Sequence, residues 1–474
     1  MNSLLLVALL AAAPVPRPLP SAEPSVYLPR LDRLGGVLAF LERAGEFSVA
    51  LRPATWREDF LPLLAVDPTR VPSLVAAGVD PSGSATVNAV GEAQVTCVSL
   101  KDVARFEARA KAALEGRGAA WASRVHGVPL RGVKSVKEVT GGYALSGNEA
   151  CVAEGPGTER LLGEAAALLS RPGGAAAGRG VFVLPGAAYV STSQSLLGLE
   201  GDARHLEVEG RSGRLPLPSF RKGGESPYGG IVPSGLLFAR AQVDPAAYPQ
   251  ALGTLEAQVS RICPGCERAR MEALSRSVSK FLTGQVLWRV DRVEPSGSLR
   301  TAAARAFAVK TALLAEVQRP QEVKAALESL AEWKGVSRTD AGFVLALPEG
   351  RLELEIQGNH LCLSNDETAR KTAWDALAAS SGKGAKLPHG AEFFVEPKQV
   401  ARALARIPLW DALGSRELAG LLALSTELGP LLAQSDALTG WVDSTGAGVH
   451  RFSTRWVLPQ APPEAPPEPM PRGR

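Results

Sequence analysis

One junction recurs along this chain: an apolar, strand-like run ends in an acidic residue, a proline or both, and an amphipathic helix follows at once. It stands as LLFARAQVDP before AAYPQAL, ALLAEVQRP before QEVKAAL and EFFVEP before KQVARAL, and more weakly as FSVALRP before ATW and VTCVSLKD before VARFEARAKAAL. Proline supplies a helical φ at the first helical position, where its missing N–H costs nothing, and a carboxylate there satisfies free N–H groups and the helix dipole. The junction is therefore a strand-to-helix corner. A longer unit carries it twice, because Val95 to Ser170 matches Leu313 to Ala379 in element order: corner, helix, a set of strands, second helix. The strands read as GVKSVKEV, GGYALSG and EACVAEG in the first copy and as AGFVLAL, RLELEIQG and HLCLSND in the second. Strict alternation from Arg351 to Gln357 predicts a strand with one wet face, and Gly147-Asn148, Gly350 and Gly358 supply hairpin turns. The fold class that follows is α+β, with largely antiparallel sheets packed on helices and repeated β-α-β-β units in two related halves.

At 474 residues the chain exceeds what one ordinary core organises, since single cores stop growing near roughly 250–300 residues. Two α+β domains are expected, at residues 24–208 and 236–458. Between them 209–235 is rich in Gly, Pro and Ser, lacks either periodicity and reads as the connection. The tail 459–474 is too rich in proline for a ladder and reads as disordered. Two regions read as strongly helical: Pro245 to Leu282, interrupted by Cys263-Pro-Gly-Cys266, and Leu409 to Leu432, whose leucines form a broad apolar stripe.

The first thirteen residues contain an apolar run from Leu4 to Ala13 that ends in small residues. That run is shorter than the about 20 residues of a bilayer span and fits a secretory leader, so residues 1–23 read as a signal peptide and Pro-rich leader. The mature chain is then periplasmic or secreted, with no transmembrane segment. A net charge of +4 with interleaved signs and 5% aromatics give no basic stacking face, which argues against nucleic acid as a partner.

Few residues carry candidate chemistry. Cys263 and Cys266 flank a Pro-Gly pair that favours a type II turn and brings the two cysteines within disulfide reach. They are the candidate structural disulfide; a redox-active pair is the alternative, although such pairs follow a strand and this one follows a helix-like run. Cys97, Cys151 and Cys362 sit in apolar strands as small hydrophobes, and Cys97 pairs with Cys151 if their strands are neighbours. Glu353 and Glu355 could act as acid and base, but read as a solvated strand face. The five histidines, at 126, 205, 360, 389 and 450, have no metal spacing. Ser381-Gly-Lys-Gly lacks the first glycine of a phosphate loop, and PGGAAAGRG from Pro172 follows a helix, so it fails the dinucleotide pattern. No catalytic, cofactor-binding or metal-binding residue is assigned, and no cofactor is expected.

The segments LAVDP with GVDPSGSATV, CVSLKDVARF, GGYALSG with CVAEG, and ALLAEVQRPQEVKAAL through HLCLSND to AEFFVEPKQVARAL resemble a family of exported bacterial proteins grouped as a domain of unknown function. The resemblance implies export and a repeated α+β build; it supplies no site. The expected role is a non-enzymatic binding or structural interaction module of the cell envelope, with a protein or other envelope component as partner. Two alternatives stand beside it. One is a carrier of apolar ligands on the Leu-rich C-terminal helix; the other is an enzyme with a dispersed site, or a thiol-disulfide oxidoreductase at Cys263 and Cys266.

Overall fold

A computed structural model describes residues 13–15 and 19–460, except 49–50, 52–59, 172–177, 183–185, 193–194, 214–216, 249–267, 296–298, 300, 334, 348, 381–383, 414–415 and 447. Ten strands come from the first half of the chain: β1 (Ser25–Leu28), β2 (Ala85–Val90), β3 (Ala93–Ser99), β4 (Ala119–Val125), β5 (Val128–Lys134), β6 (Val139–Ser146), β7 (Glu149–Glu154), β8 (Ala188–Ser191), β9 (Ser195–Gly201) and β10 (His205–Ser212). Ten more come from the second: β11 (Leu237–Gln242), β12 (Leu282–Val293), β13 (Val309–Val317), β14 (Val336–Arg338), β15 (Gly342–Leu347), β16 (Gly350–Gln357), β17 (His360–Ser364), β18 (Ala391–Val395), β19 (Ala437–Gly446) and β20 (Val449–Val457). All twenty join one antiparallel sheet. Its order from edge to edge is β4-β5-β6-β7-β3-β2-β1-β8-β9-β10-β20-β19-β18-β11-β12-β13-β17-β16-β15-β14.

Read inward from either edge, the two halves have the same order. Each strand of the first half has its counterpart ten numbers on, and the equivalent strands β10 and β20 pair antiparallel at the centre, from His205↔Val457 to Ser212↔His450. The sheet is thus an internal pseudo-two-fold duplication, and Glu209 to Ser212, at the start of the expected connection, complete its seam strand. Two-stranded ladders at Ala13–Val15 with Gly178–Phe182, and at Glu225–Ser226 with Ala385–Lys386, lie apart from it.

The corners form where the sequence places them. Asp102 accepts the Arg105 N–H to start α2 (Val103–Leu114) after β3, and Pro320 opens α5 (Pro320–Leu327) after β13. Pro397 opens α7 (Pro397–Leu404) after β18, and Asp244 caps a single turn at Pro245–Ala247. The FSVALRP corner lies mostly outside the described residues. Four further long helices belong to the scaffold, α1 (Gly35–Gly45), α3 (Thr158–Leu169), α4 (Arg268–Ser279) and α6 (Glu367–Ala379), with short ones at Val71–Ala76 and Ala302–Ala308. The Leu-rich region is a short helix, Leu409–Leu413, followed by α8 (Arg416–Gln434).

Both sheet faces are covered in each half, which explains why the inner strands are apolar on consecutive residues. On one face, here called the front, α3 lays Leu161, Leu162 and Ala165 over Val95, Cys97, Ala144 and Cys151. On the back, Phe106, Ala110 and Leu114 of α2 pack on Val98, Tyr143 and Val152. The second half repeats this arrangement, with Ala369 and Ala373 of α6 over Leu314 and Cys362 in front, and Val323 and Leu327 of α5 over Val317, Phe343 and Leu361 behind. Behind the seam, Phe40 and Ala44 of α1 meet Leu431 of α8 over Trp456 and Leu206.

The first-half strands require one correction. GVKSVKEV is not one strand, because residues 135–138 turn the chain between β5 and β6, and the hairpin β4–β5 precedes it. That hairpin turns at His126 and Gly127, both at positive φ (50° and 81°), the geometry of a two-residue type I′ connection. Of the region from Pro245 to Leu282, residues 249–267 lie outside the described residues; Pro245–Ala247 is a single turn, Arg268–Ser279 is α4, and Leu282 begins β12.

Candidate functional site

Among the described residues no helix covers the front face at the seam. Between α3 and α6, strands β10, β20, β19, β18 and β11 place Glu207, Arg455, Thr439, Phe394 and Phe238 on this face in one row, and Ser453, Trp441, Glu392 and Arg240 in the next, with Phe238 and Ser453 themselves buried. They line a groove of about 350 Å³ closed at one side by Pro233 and His389.

Most of its polar groups bond one another. Arg240 is held at Glu392 (2.7 Å) and also donates to the carbonyls of Tyr228 and Ile231, so it is a strut. Glu209, buried beneath the groove, pairs with Arg451, whose guanidinium lies 5.6 Å from the Trp441 ring. His389 stacks on the same indole, centroids 4.1 Å apart and planes within 5°. Asp443 anchors that histidine through Nδ1 (3.2 Å), accepts the Gly390 N–H (2.8 Å) and pairs with Lys222 (3.2 Å). Burial by itself would raise the Asp443 carboxyl, but the hydrogen bonds from Gly390, His389 and Lys222 outweigh it and hold the group below the usual carboxylate range. Glu207 accepts from Ser453 Oγ (2.9 Å), while the exposed Arg455 guanidinium opposite it makes no ion pair within 4 Å among the described residues.

The residues singled out in the sequence lie elsewhere. Cys263 and Cys266 are outside the described residues. Cys97 and Cys151 face each other across β3 and β7 and form a disulfide between positions 54 residues apart. Cys362 is free and buried, and burial pushes its thiol up to about 12, far from a thiolate at neutral pH. Glu353 and Glu355 are not a solvated face, because α6 covers them and leaves each 6% exposed. Arg370 of α6 bridges the two, Nε to Glu353 (3.2 Å) and Nη1 to Glu355 (2.9 Å), and Trp374 Nε1 donates to Glu355 (3.3 Å). This buried ion network is structural. His360 Nδ1 and the Tyr228 hydroxyl share a hydrogen bond (3.1 Å), and His450 lies 3.3 Å from Ser444 Oγ. The helix before PGGAAAGRG and the strand after it are present, while 172–177 and 381–383 fall outside the described residues.

The trough residues were missed. The signal available was the alternation in β19 and β20, where Trp441 with Asp443 and Arg451 with Ser453 and Arg455 share one parity, but no local spacing joins Glu209 to Arg451 across 242 positions.

Among the described residues no group of three or more His, Cys, Asp or Glu is placed to hold a metal, and no helix is long and apolar enough to cross a membrane. No protein-family model matches the chain, and no curated protein does. Solved structures of TP0453 are similar to it at low score. Crystal form IV shares 10% identity over 47% of this chain and 77% of that one, with a TM-score of 0.25. Crystal form I shares 8% over 76% and 94%, with a TM-score of 0.19. At those scores the likeness carries no argument. The fold is mixed α+β on the evidence of the strands and helices themselves.

Proposed function

We propose that the chain is an exported, non-enzymatic binding module of the cell envelope, and that the front trough at the seam meets its protein partner. The observation that carries this reading is the bare face itself: the front is covered by α3 in one half and α6 in the other, yet between them it exposes aromatic and charged side chains around a groove of about 350 Å³. A concave surface with an aromatic anchor, an exposed arginine and a charged rim has the composition of a binding hot spot. Its histidine and its buried carboxylates are committed to ion pairs and stacking, which favours recognition over catalysis. The Cys97–Cys151 bond supports an oxidising compartment, where such bonds persist.

The test is site-specific photocrosslinking in the producing cell, with the crosslinker at Thr439 inside the groove and a control at Val136, which is 98% exposed elsewhere. One discrete adduct from Thr439 in the envelope fraction, lost with Arg455→Glu and Trp441→Ala in folded protein, is the expected result. The same adducts from both positions, or retention of the chain in the cytosol, would remove the proposal.

A further inference from the structure

The back face of the second half carries a different hollow, and the duplication says what belongs in it. The hairpin turns at Gly147-Asn148 and Gly358-Asn359 are equivalent, so Gly141 corresponds to Leu352 and Val152 to Leu363. Cross-strand pairing extends the match: Val87–Thr96–Val152 in the first half runs as Trp288–Leu313–Leu363 in the second. In the first half this row is roofed by the chain's own apolar side chains. Phe60, Leu61, Leu63 and Leu64 share its core, Gln94 Nε2 reaches the Phe60 carbonyl, and Leu63 sits 3.4 Å from where a Gly141 Cβ would be.

In the second half the row is apolar but, among the described residues, lies open. Trp288, Leu313, Leu352 and Leu363 floor a hollow of about 300 Å³, and Phe307 with Ala306 makes its wall. Leu313, Leu352 and Leu363 are only half-buried and Trp288 is 43% exposed, an unusual condition for four large apolar side chains in one patch. The wall belongs to this half alone. The turn between β2 and β3 is two residues long, Gly91-Glu92, whereas residues 294–308 stand between β12 and β13 and include a helix, Ala302–Ala308. Gly350 admits the wall, since a Cβ there would come within 2.5 Å of the Phe307 ring. Leu299 fastens the insertion to Leu418 of α8, and its N–H donates to Asp411 (2.6 Å). The Leu-rich helix therefore buttresses the hollow without lining it.

The polar end of the hollow offers a ligand nothing. Trp288 Nε1 donates to Thr311 Oγ1 (2.8 Å), which donates to the Arg289 carbonyl (2.6 Å). Asn365 accepts from Thr311 N–H and donates to the carbonyls of Ala306 and Val309, and Ser364 donates to those of Thr311 and Asp366. With every one of these groups engaged, an occupant gains by burying hydrocarbon and by nothing else. We infer that this hollow binds one acyl chain, which takes the place that Phe60 to Leu64 hold in the first half, with its polar head left in water at the mouth. A methylene needs about the room of a water molecule, roughly 30 Å³, so a chain of about ten carbons fills the space.

The site is independent of the seam trough and is tested without it. Titration calorimetry of the full chain with hexanoate, octanoate, decanoate and dodecanoate, all below their micellar concentrations, should show about fourfold tighter binding per added methylene. The gain should stop near ten carbons. Decanoyl-lysophosphatidylcholine in parallel separates the two sources: binding of both probes assigns a lipid chain, and binding of decanoate alone assigns a free fatty acid. Ala306→Trp, which fills the hollow, should weaken decanoate at least twentyfold with an unchanged melting temperature. Trp288→Ala, which removes the floor at the mouth, should weaken it severalfold, and Val136→Ala should leave it unaltered. Absence of binding by either probe, an affinity independent of chain length, or full binding by folded Ala306→Trp would each overturn the assignment.

Discussion

Cutting the Cys97–Cys151 bond tests the sheet order directly, because the two cysteines meet only if β7 returns past β4, β5 and β6 to lie beside β3. Both side chains are buried, at 4% and 0% exposure, and the pairs on either side of them keep the register without the bond. Its loss therefore acts chiefly on the unfolded chain. A closed loop of 54 residues removes about 14 cal/mol/K of unfolded-state entropy, or about 4 kcal/mol at 25 °C. Measured disulfides usually deliver about 2–4 kcal/mol, so a loss in that range is expected for Cys97→Ala with Cys151→Ala. The assay is equilibrium urea unfolding followed by circular dichroism, comparing oxidised protein, reduced protein and the double variant, with peptide-resolved alkylation to report which thiols are free. Reduced protein and double variant should unfold at the same urea concentration, and their m-values should exceed that of the oxidised protein as the denatured chain expands. A loss below about 1 kcal/mol, or alkylation of Cys97 and Cys151 in unreduced native protein, would refute the bond and with it the return of β7 to β3.

Two further perturbations probe the second half. Arg370→Met leaves Glu353 and Glu355 buried with Arg351, at Glu353, as the remaining paired cation among the described residues, and should cost roughly 2–4 kcal/mol in urea unfolding, discounted because Arg370 is itself 29% exposed. Replacing all three (Glu353→Ala, Glu355→Ala, Arg370→Met) imitates the first half, where Gly142 and Ala144 stand under α3, and should recover at least half of that loss; a triple variant as unstable as the single would contradict the network. For pH, burial outweighs the Glu316 charge and lowers the His360 pKa, and burial likewise lowers that of His450. Each imidazole is then neutral in the native state where the unfolded chain already binds a proton. Stability is full above about pH 6.5 and falls as the pH drops from there through the folded-state values. Unfolding measured at pH 7.5, 6 and 5 should show this decline, with a smaller slope for His360→Gln; an equal slope would exclude His360 as a contributor.

The local devices were readable and the distant ones were not. Asp102, Pro320 and Pro397 announce helix starts within a few residues of the strand end, and alternation from Arg351 to Gln357 names a strand and separates its two faces. Which of those faces is wet is a tertiary question. Helix α6 covers the glutamates, and Arg370, fifteen residues beyond Glu355, supplies the countercharge that makes their burial tolerable. Strand β4 escaped notice because Ala119-Ala-Trp-Ala-Ser-Arg-Val has no alternation to show. At the edge of the sheet most of its side chains are exposed, so nothing in its composition had to be apolar. The trough depends on β10 meeting β20, and no short-range pattern encodes a pairing between the ends of two halves.

The duplication also shows where the chain has departed from its own template. Two halves with the same strand order would, if identical, bury and expose the same positions; differences between them mark places where packing alone did not dictate the residue. The disulfide pair Cys97 and Cys151 becomes Leu314 and Cys362, which keeps the core apolar without the bond. The short connection at 192–194 becomes residues 396–436, and the helix this insertion carries, α8, packs Leu431 against Phe40 of α1 behind the seam. One helix from each half thus closes the back of the seam, while among the described residues no counterpart closes the front. The two-residue turn at Gly91 becomes the wall bearing Phe307, and Gly141, small enough to pass under Leu63, becomes Leu352 on the floor of a hollow. Each insertion does two things at once: α8 ties the halves together and braces the wall through Leu418, and the wall encloses apolar surface that the first half hides with its own chain. A sheet that satisfied only its own packing would cover both faces alike. Among the described residues this one covers the back of its seam, leaves the front without a helix and leaves one apolar patch unroofed, so its two halves differ most where packing alone did not dictate the residue.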